Sequence, residues 1–367
     1  MRIMARLFFY HFEGKNMKNK QLQKYKRTSM NIFRTKYRRI ISSSHYIKRD
    51  KIPKINNGLL IKEDLKDFYS FEKIKKKIDK SVRIEESELA ILKEFIDKTG
   101  YFRFSIYLKL MKDIEGVTVI DIIKTCQLDG YIRDNLFSFT TRLEMFWKKT
   151  IVDTMCLNYE TNDFFHNSQC YLDKKIYKND EWGNLIIQEF NKSFFSNNSP
   201  AFKHHKNKKK NCIPIWALFE GLTFGQINTF ITQLDARYYN AWVSSIYNNP
   251  AYKKPMKSWI TVIRTSRNRS AHNSRIYGLK APDVPMILKK TSRNYFSDNK
   301  SKNISSTLLF GTLYVIKHLF MYENDHIKEN WNNFIYKLND KLLEIKKIEK
   351  SQYGFSEDWV KQLEIID

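Results

Sequence analysis

From about Leu59 onward, apolar residues return every three to four positions, and the period-two alternation that marks strands is scarce. The stretch IEESELAILKEFIDKTGYFRFSIYLKLM (84–111) predicts two amphipathic helices meeting at Gly100, a C-cap-like position. DIIKTCQLDGYIRDNLFSFTTRLEMFWKKTIVDTMCLNY (121–159) sustains the helical period for about ten turns, with Gly130 as a break. KHHKNKKK (203–210) reads as a charged loop. IPIWALFEGLTFGQINTFITQL (213–234) then reads as a short helix, a turn at Gly225 and another helix. Two long helices follow in residues 306–347. No Gly-rich phosphate loop and no internal repeat is found, so the expected fold class is all-α.

One helix breaks the apolar rule. In SWITVIRTSRNRSAHNSRIYG (258–278) the stripe set by Met256, Trp259, Ile260 and Ile263 leads forward to Arg267, Ser270 and Ala271. An arginine on an inward stripe must be paired or must face a charged ligand. Asn268 and His272 share one face as i, i+4 neighbours. Arg267 lies about 140° from His272 around the axis, but its side chain is long enough to converge with the histidine on a ligand. From Ala236 to Pro282 there is no Asp or Glu against nine Lys or Arg, so the segment carries no local carboxylate. Arg offers a fixed fork to a phosphate, and imidazole exchanges protons near neutrality. For RNA, a base that deprotonates the 2′-hydroxyl starts cleavage without a metal. The alternative from the same residues is a buried Arg267–Glu pair with His272 as a core histidine.

Charge narrows the class of partner. The 367 residues contain 65 Lys and Arg against 39 Asp and Glu, a formal net charge of +26. Such an excess suits a polyanion, nucleic acid first and an anionic membrane surface second. A hydrophobic fraction of 42% excludes global disorder and leaves room for one large domain or two modest ones. Residues 15–54 carry fourteen Lys or Arg and one acid, Asp50, so 1–56 reads as a basic arm that orders on binding, or as a leader if Met17 or Met30 is the true start. Cys126, Cys156, Cys170 and Cys212 have no metal-ligand spacing and read as thiols of a reducing cytosol. The N-terminal apolar run of about six residues is too short for a signal sequence, and nothing approaches the ~18 apolar residues of a membrane span. A cytoplasmic protein with no membrane partner and no metal is expected.

RNRSAHNSRIYG resembles the R-N-x-x-x-H signature of HEPN ribonucleases, and its flanks are similar to the AbiD/AbiF-type abortive-infection family of bacterial phage-defence proteins. GYFRFSIY (100–107), TRLEMFWKKTI (141–151), IPIWALFEGLTFGQI (213–227) and MKSWITVIRTSRNRSAHNSRIY (256–277) resemble further blocks of that family, in order. The resemblance spans roughly residues 60–345. It implies a HEPN-like helical bundle with additional helices over 57–348, followed by a short helix or tail over 349–367. It also implies a metal-independent endoribonuclease toxin, without cofactor, that leaves a 2′,3′-cyclic phosphate and a 5′-hydroxyl. In such enzymes two motifs face each other, so a homodimer is expected. Arg267 would stabilise the scissile phosphate, Asn268 would orient the histidine or the arginine, and His272 would act in the cleft. RNA is the implied substrate, and a small structured RNA is an implied restraining partner. The chain departs from the family in having Asn273 where a second histidine is common, Tyr277 in place of tryptophan, and Ile106 in place of glycine. It has Ser274 where a related toxin group carries a modifiable tyrosine.

Other residues receive expectations of less weight. Arg142 and Glu144 match the family's R-I-E positions, and Glu144 is placed to pair with Arg267 as support. Arg264, Arg269 and Arg275, with Lys206, Lys208, Lys209 and Lys210, are the candidate RNA contacts. Trp216, Trp259 and Phe224 are expected in the core. His204 and His205 are expected in the charged loop, and His318 and His326 offer no constellation. The rival reading is a non-catalytic RNA-binding or scaffold protein. A DNA-binding regulator would need a recognition helix, and no such motif is seen.

Overall fold

The computed structural model describes residues 68–289, 295–296 and 298–366. The basic arm of 1–56 and the first residues of the helical region, 57–67, lie outside the described residues. Described elements are α-helical or 3-10, with no strand; residues 177 and 234 form an isolated antiparallel bridge.

The first helices are α1 (Phe71–Asp79), α2 (Leu89–Thr99) and α3 (Tyr101–Met111). Gly100 joins α2 to α3 at φ +81°, a backbone region that L side chains rarely adopt. The spine is α4 (Val119–Asn158), 40 residues long, which at 1.5 Å per residue is about 60 Å. It starts at a reciprocal capping box in which Thr118 and Asp121 each take the other's backbone N–H. Gly130 does not break it. An interior glycine costs only about 1 kcal/mol, and packing along most of the helix holds it continuous.

Then come α5 (Asp180–Ser196) and α6 (Pro200–Lys208). The expected loop at 203–210 is therefore mostly helix. Pro200 starts α6 at a position where a missing N–H is harmless, and buried Phe202 anchors it. Next are α7 (Ile215–Glu220) and α8 (Phe224–Gln233). Their turn lies at 221–223, not at Gly225, because Thr223 and Gln226 form the capping box of α8. Gly221 is required there, since an added Cβ would sit 2.3 Å from the Phe202 ring.

The rest comprises α9 (Ala236–Ile246), α10 (Met256–Ala271), α11 (Asn299–Ser306), α12 (Leu309–Phe320), α13 (Asp325–Leu343) and α14 (Trp359–Leu363). α10 packs along α4 and also touches α8 and α12, while α9, α3 and α13 cover other stretches of α4. The core is aromatic: Trp147, Trp242, Trp259 and Trp331 are fully buried. Phe224 and Trp259 are core residues as expected, but Trp216 is 54% exposed, because only one side of the six-residue α7 can face inward. His318 is not isolated either. It stacks on Trp259 and is packed against Tyr252, Tyr295 and Tyr314.

The segment after α13 folds back onto the body. The Tyr353 hydroxyl reaches Asp129 in the first third of α4, and the Trp331 indole N–H donates to the Leu363 carbonyl. Residues 350–363 are thus part of the same packing as α4 and α13.

Candidate functional site

α10 buries Met256, Trp259, Ile260, Val262 and Ile263, and continues its inner face through Ser266 and Ser270. Arg267 leaves that face at its edge, with one third of its side chain exposed. Its Nε lies 3.2 Å from Oε2 of Glu144 on α4, whose other oxygen is 3.2 Å from Lys148 Nζ. Both Nε and Oε2 are buried and neither makes a hydrogen bond, so the contact is a charge pair whose N–H is not aimed at the oxygen. The Lys148 ammonium also donates to the Leu222 carbonyl. The Arg267 guanidinium stands 5.9 Å from the Phe137 ring and donates through Nη1 to Asn268 Oδ1 at 3.3 Å. That last bond brings the guanidinium round to the face that Asn268 shares with His272, bridging the angular gap along the helix.

Asn268 and His272 are exposed. The alternative of an Arg267–Glu pair with a core histidine is therefore met in its first half only. His272 is the C-cap of α10, and its backbone N–H still bonds to the Asn268 carbonyl. Asn273 follows at φ +53°, its N–H bonding to Ser270 O and that of Ser274 to Arg269 O. These two bonds and the left-handed residue are a Schellman stop. Asparagine is among the few non-glycine residues that tolerate this conformation, which gives Asn273 a structural role where the resemblance led one to look for a second histidine.

Three residues far away in sequence hold the turn beyond His272. Arg103 of α3 donates to the Asn273 carbonyl at 3.1 Å, and Arg133 of α4 to the Ser274 carbonyl at 3.2 Å. Asp129, fully buried in α4, accepts the N–H of Ile276 at 2.7 Å and that of Tyr277 at 3.0 and 3.2 Å. The same carboxylate accepts the hydroxyls of Tyr107 at 2.7 Å and Tyr353 at 3.0 Å. Burial pushes the Asp129 carboxyl above the usual range, while those donors pull it the other way. Sequence reasoning missed Asp129, Arg103 and Arg133. The available signal was the buried stripe of α4, which runs Ile122, Cys126, Asp129, Arg133, Leu136 and so puts two charges among apolar positions.

Carboxylates that the local sequence lacks are therefore supplied from elsewhere. Glu144 and Asp129 come from α4, and Asp283 from the loop just past Pro282. Arg264 approaches Asp283 at 3.8 Å. Arg269 donates to the Lys280 carbonyl and Arg275 to the Tyr277 carbonyl. Arg142 pairs with Glu323 at 3.5 Å. Lys206 donates to the Phe195 and Asn197 carbonyls, whereas Lys208, Lys209 and Lys210 are exposed. Among the described residues no hydrogen bond or ion pair joins these lysines to Arg267, Asn268 or His272. Among the same residues no group of three or more His, Cys, Asp or Glu could hold a metal ion, and no helix is long and apolar enough to cross a membrane. The four cysteines are free.

Fold and site together define an all-α protein whose long central helix props a polar helix end carrying an arginine, an asparagine and a histidine. The chain belongs to the Abi-like protein family, which matches it over residues 94–278. The match opens inside α2 and closes one residue past Tyr277, so it takes in the resembling blocks at 100–107, 141–151, 213–227 and 256–277. This membership supports a role in abortive infection. No curated protein and no solved structure matches the chain.

Proposed function

We propose that this protein is a metal-independent endoribonuclease of the HEPN type that acts as an abortive-infection toxin. The observation that carries the reading is the placing of Arg267, Asn268 and His272. The first is held by Glu144 and turned toward the second, and the second and third are exposed on one helix face. In the reaction the His272 imidazole takes the proton of a ribose 2′-hydroxyl as its oxygen attacks the adjacent phosphorus. The P–O5′ bond breaks, and the leaving 5′-oxygen takes a proton from the imidazolium so formed, which leaves a 2′,3′-cyclic phosphate, a 5′-hydroxyl and a neutral imidazole. Arg267 faces the charge that grows on the phosphoryl oxygens, an effect worth about 3 kcal/mol for one well-placed donor.

The site is completed by a second copy of the chain. Exposed apolar side chains flank the motif, with Phe137 beside the Arg267 guanidinium and Met145 two turns further along α4. Phe102 is exposed beside Arg103, which ties down the turn after His272. Such residues around a polar site fit an interface between subunits. The net charge of +26 and the exposed Lys208, Lys209 and Lys210 fit an RNA strand, whether substrate or a small restraining RNA.

The Arg267–Glu144 contact also favours a second reading, in which the arginine only clamps α10 to α4 and the protein binds RNA without cutting it. Incubation of the purified protein with RNA in EDTA separates the two. Cleavage is expected in the wild type and absent in His272→Ala, with RNA binding kept in both. Equal cleavage by the variant removes His272 from the mechanism, and no cleavage by the wild type leaves the binding protein. Sedimentation of Met145→Glu is expected to show monomers where the wild type shows dimers.

A further inference from the structure

The inner face of α10 borders a second feature, apart from the face of Asn268 and His272. A cavity of about 40 Å³ lies between α10, α4, α12 and the loop after the motif. Its lining includes Arg133 from α4, Arg269 from α10 and Arg275 from the loop, together with Ser266 and Ser270 of α10 and seven apolar residues. Arg133 is only 7% exposed. Burial lowers the Arg269 pKa from its ordinary value, with Asp283 opposing.

The charges in this pocket do not balance. Among the described residues none of the three arginines makes an ion pair. Each donates to a main-chain carbonyl instead: Arg133 to Ser274, Arg269 to Lys280 and Arg275 to Tyr277. The one carboxylate in the lining, Asp283, is taken by the Thr265 hydroxyl and approached by Arg264. Asp129, one turn before Arg133, already accepts from two backbone N–H groups and two tyrosine hydroxyls. Gathering cations around a cavity is costly unless an anion joins them. Size then selects the anion. A water needs at least about 10–15 Å³ of such volume, so the space suits about three waters or one tetrahedral oxyanion. Arginine forks match phosphate oxygens in pairs, and serine hydroxyls add donors.

We infer that this pocket binds one phosphate group, as inorganic phosphate or as the terminal phosphate of a polynucleotide. Arg133 and Arg275 already hold the carbonyls of Ser274 and Tyr277, so the bound group braces the turn on which His272 sits. The inference does not depend on cleavage by His272, and its test reads binding.

Calorimetric titration of the full-length protein with inorganic phosphate, at constant ionic strength in chloride, is expected to give saturable binding at one site per chain. Arg269→Gln is expected to weaken it at least roughly tenfold, as loss of a charged fork does. Ser270→Asp places a carboxylate among the guanidinium groups and is expected to abolish binding without lowering Tm in phosphate-free buffer. Arg237→Gln on α9, outside the pocket, is expected to bind as wild type. A 5′-phosphorylated oligonucleotide is compared with its 5′-hydroxyl twin. If the phosphorylated strand binds tighter and Arg269→Gln removes that advantage, the source is a strand end; if inorganic phosphate alone depends on Arg269, it is the free ion. The inference is overturned if the wild type binds neither inorganic phosphate nor the phosphorylated strand preferentially. It is equally overturned if Arg269→Gln and Ser270→Asp, folded by circular dichroism, bind like wild type.

Discussion

The carboxylate of Asp129, in the first third of α4, accepts the backbone N–H of Tyr277, 148 residues further along the chain. This bond, with its partner to Ile276, fixes where the chain goes after the motif helix ends. Asp129→Ala would leave two N–H groups and the hydroxyls of Tyr107 and Tyr353 without an acceptor. We expect it to destabilise the fold by about 3–5 kcal/mol in urea unfolding. Tyr353→Phe, which removes one donor of several, should cost about 1 kcal/mol. The Ile276 and Tyr277 amides should exchange hydrogen much faster in Asp129→Ala; unchanged exchange would mean that the turn is held by something else.

The Glu144–Arg267 pair separates structural from chemical roles. A double-mutant cycle with Glu144→Gln and Arg267→Met should return a coupling of about 1 kcal/mol in stability, since Arg267 is partly screened by solvent. In an RNA-cleavage assay Glu144→Gln should slow the reaction on the order of tenfold by loosening the guanidinium, against a loss of order a hundredfold or more for Arg267→Met. Equal losses for both would make Glu144 as direct a participant as the arginine.

His318 predicts an acid-sensitive core. Burial pushes its imidazole down to about 4, with Lys317 adding to the shift, and it stacks on Trp259 against Tyr252 and Tyr314. The unfolded chain binds this proton below its ordinary value of 6.5, and the folded chain only near 4. Stability from this group is therefore complete above pH 6.5 and is lost as pH falls toward 4, by about 3 kcal/mol over that window. His318→Phe should flatten this part of the pH–stability curve, read as the difference between variant and wild type. The Tyr252 hydroxyl keeps the residue-318 carbonyl as acceptor. A parallel pair of curves would assign the slope elsewhere.

The helical period, read in sequence, was enough to place most helices, because burial of one face leaves a mark every three to four residues. It failed at Gly130, where packing along forty residues outweighs one poor helix former, and at 203–208, where Pro200 and Phe202 turn a lysine run into a helix. It also failed at Trp216, since an apolar residue type does not say which side of a six-residue helix faces out.

At the motif, the sequence by itself determined the helix of Arg267, Asn268 and His272, its apolar stripe and the surplus of positive charge, all of them local properties of residue order. Only the tertiary structure decided that Glu144 meets Arg267, that Asp129, Arg103 and Arg133 hold the turn beyond His272, and that Arg133, Arg269 and Arg275 share one cavity. Those contacts join positions up to 170 residues apart. Spacing along a chain records which face of its own helix a residue occupies, whereas the partner on another helix is set by how the helices pack.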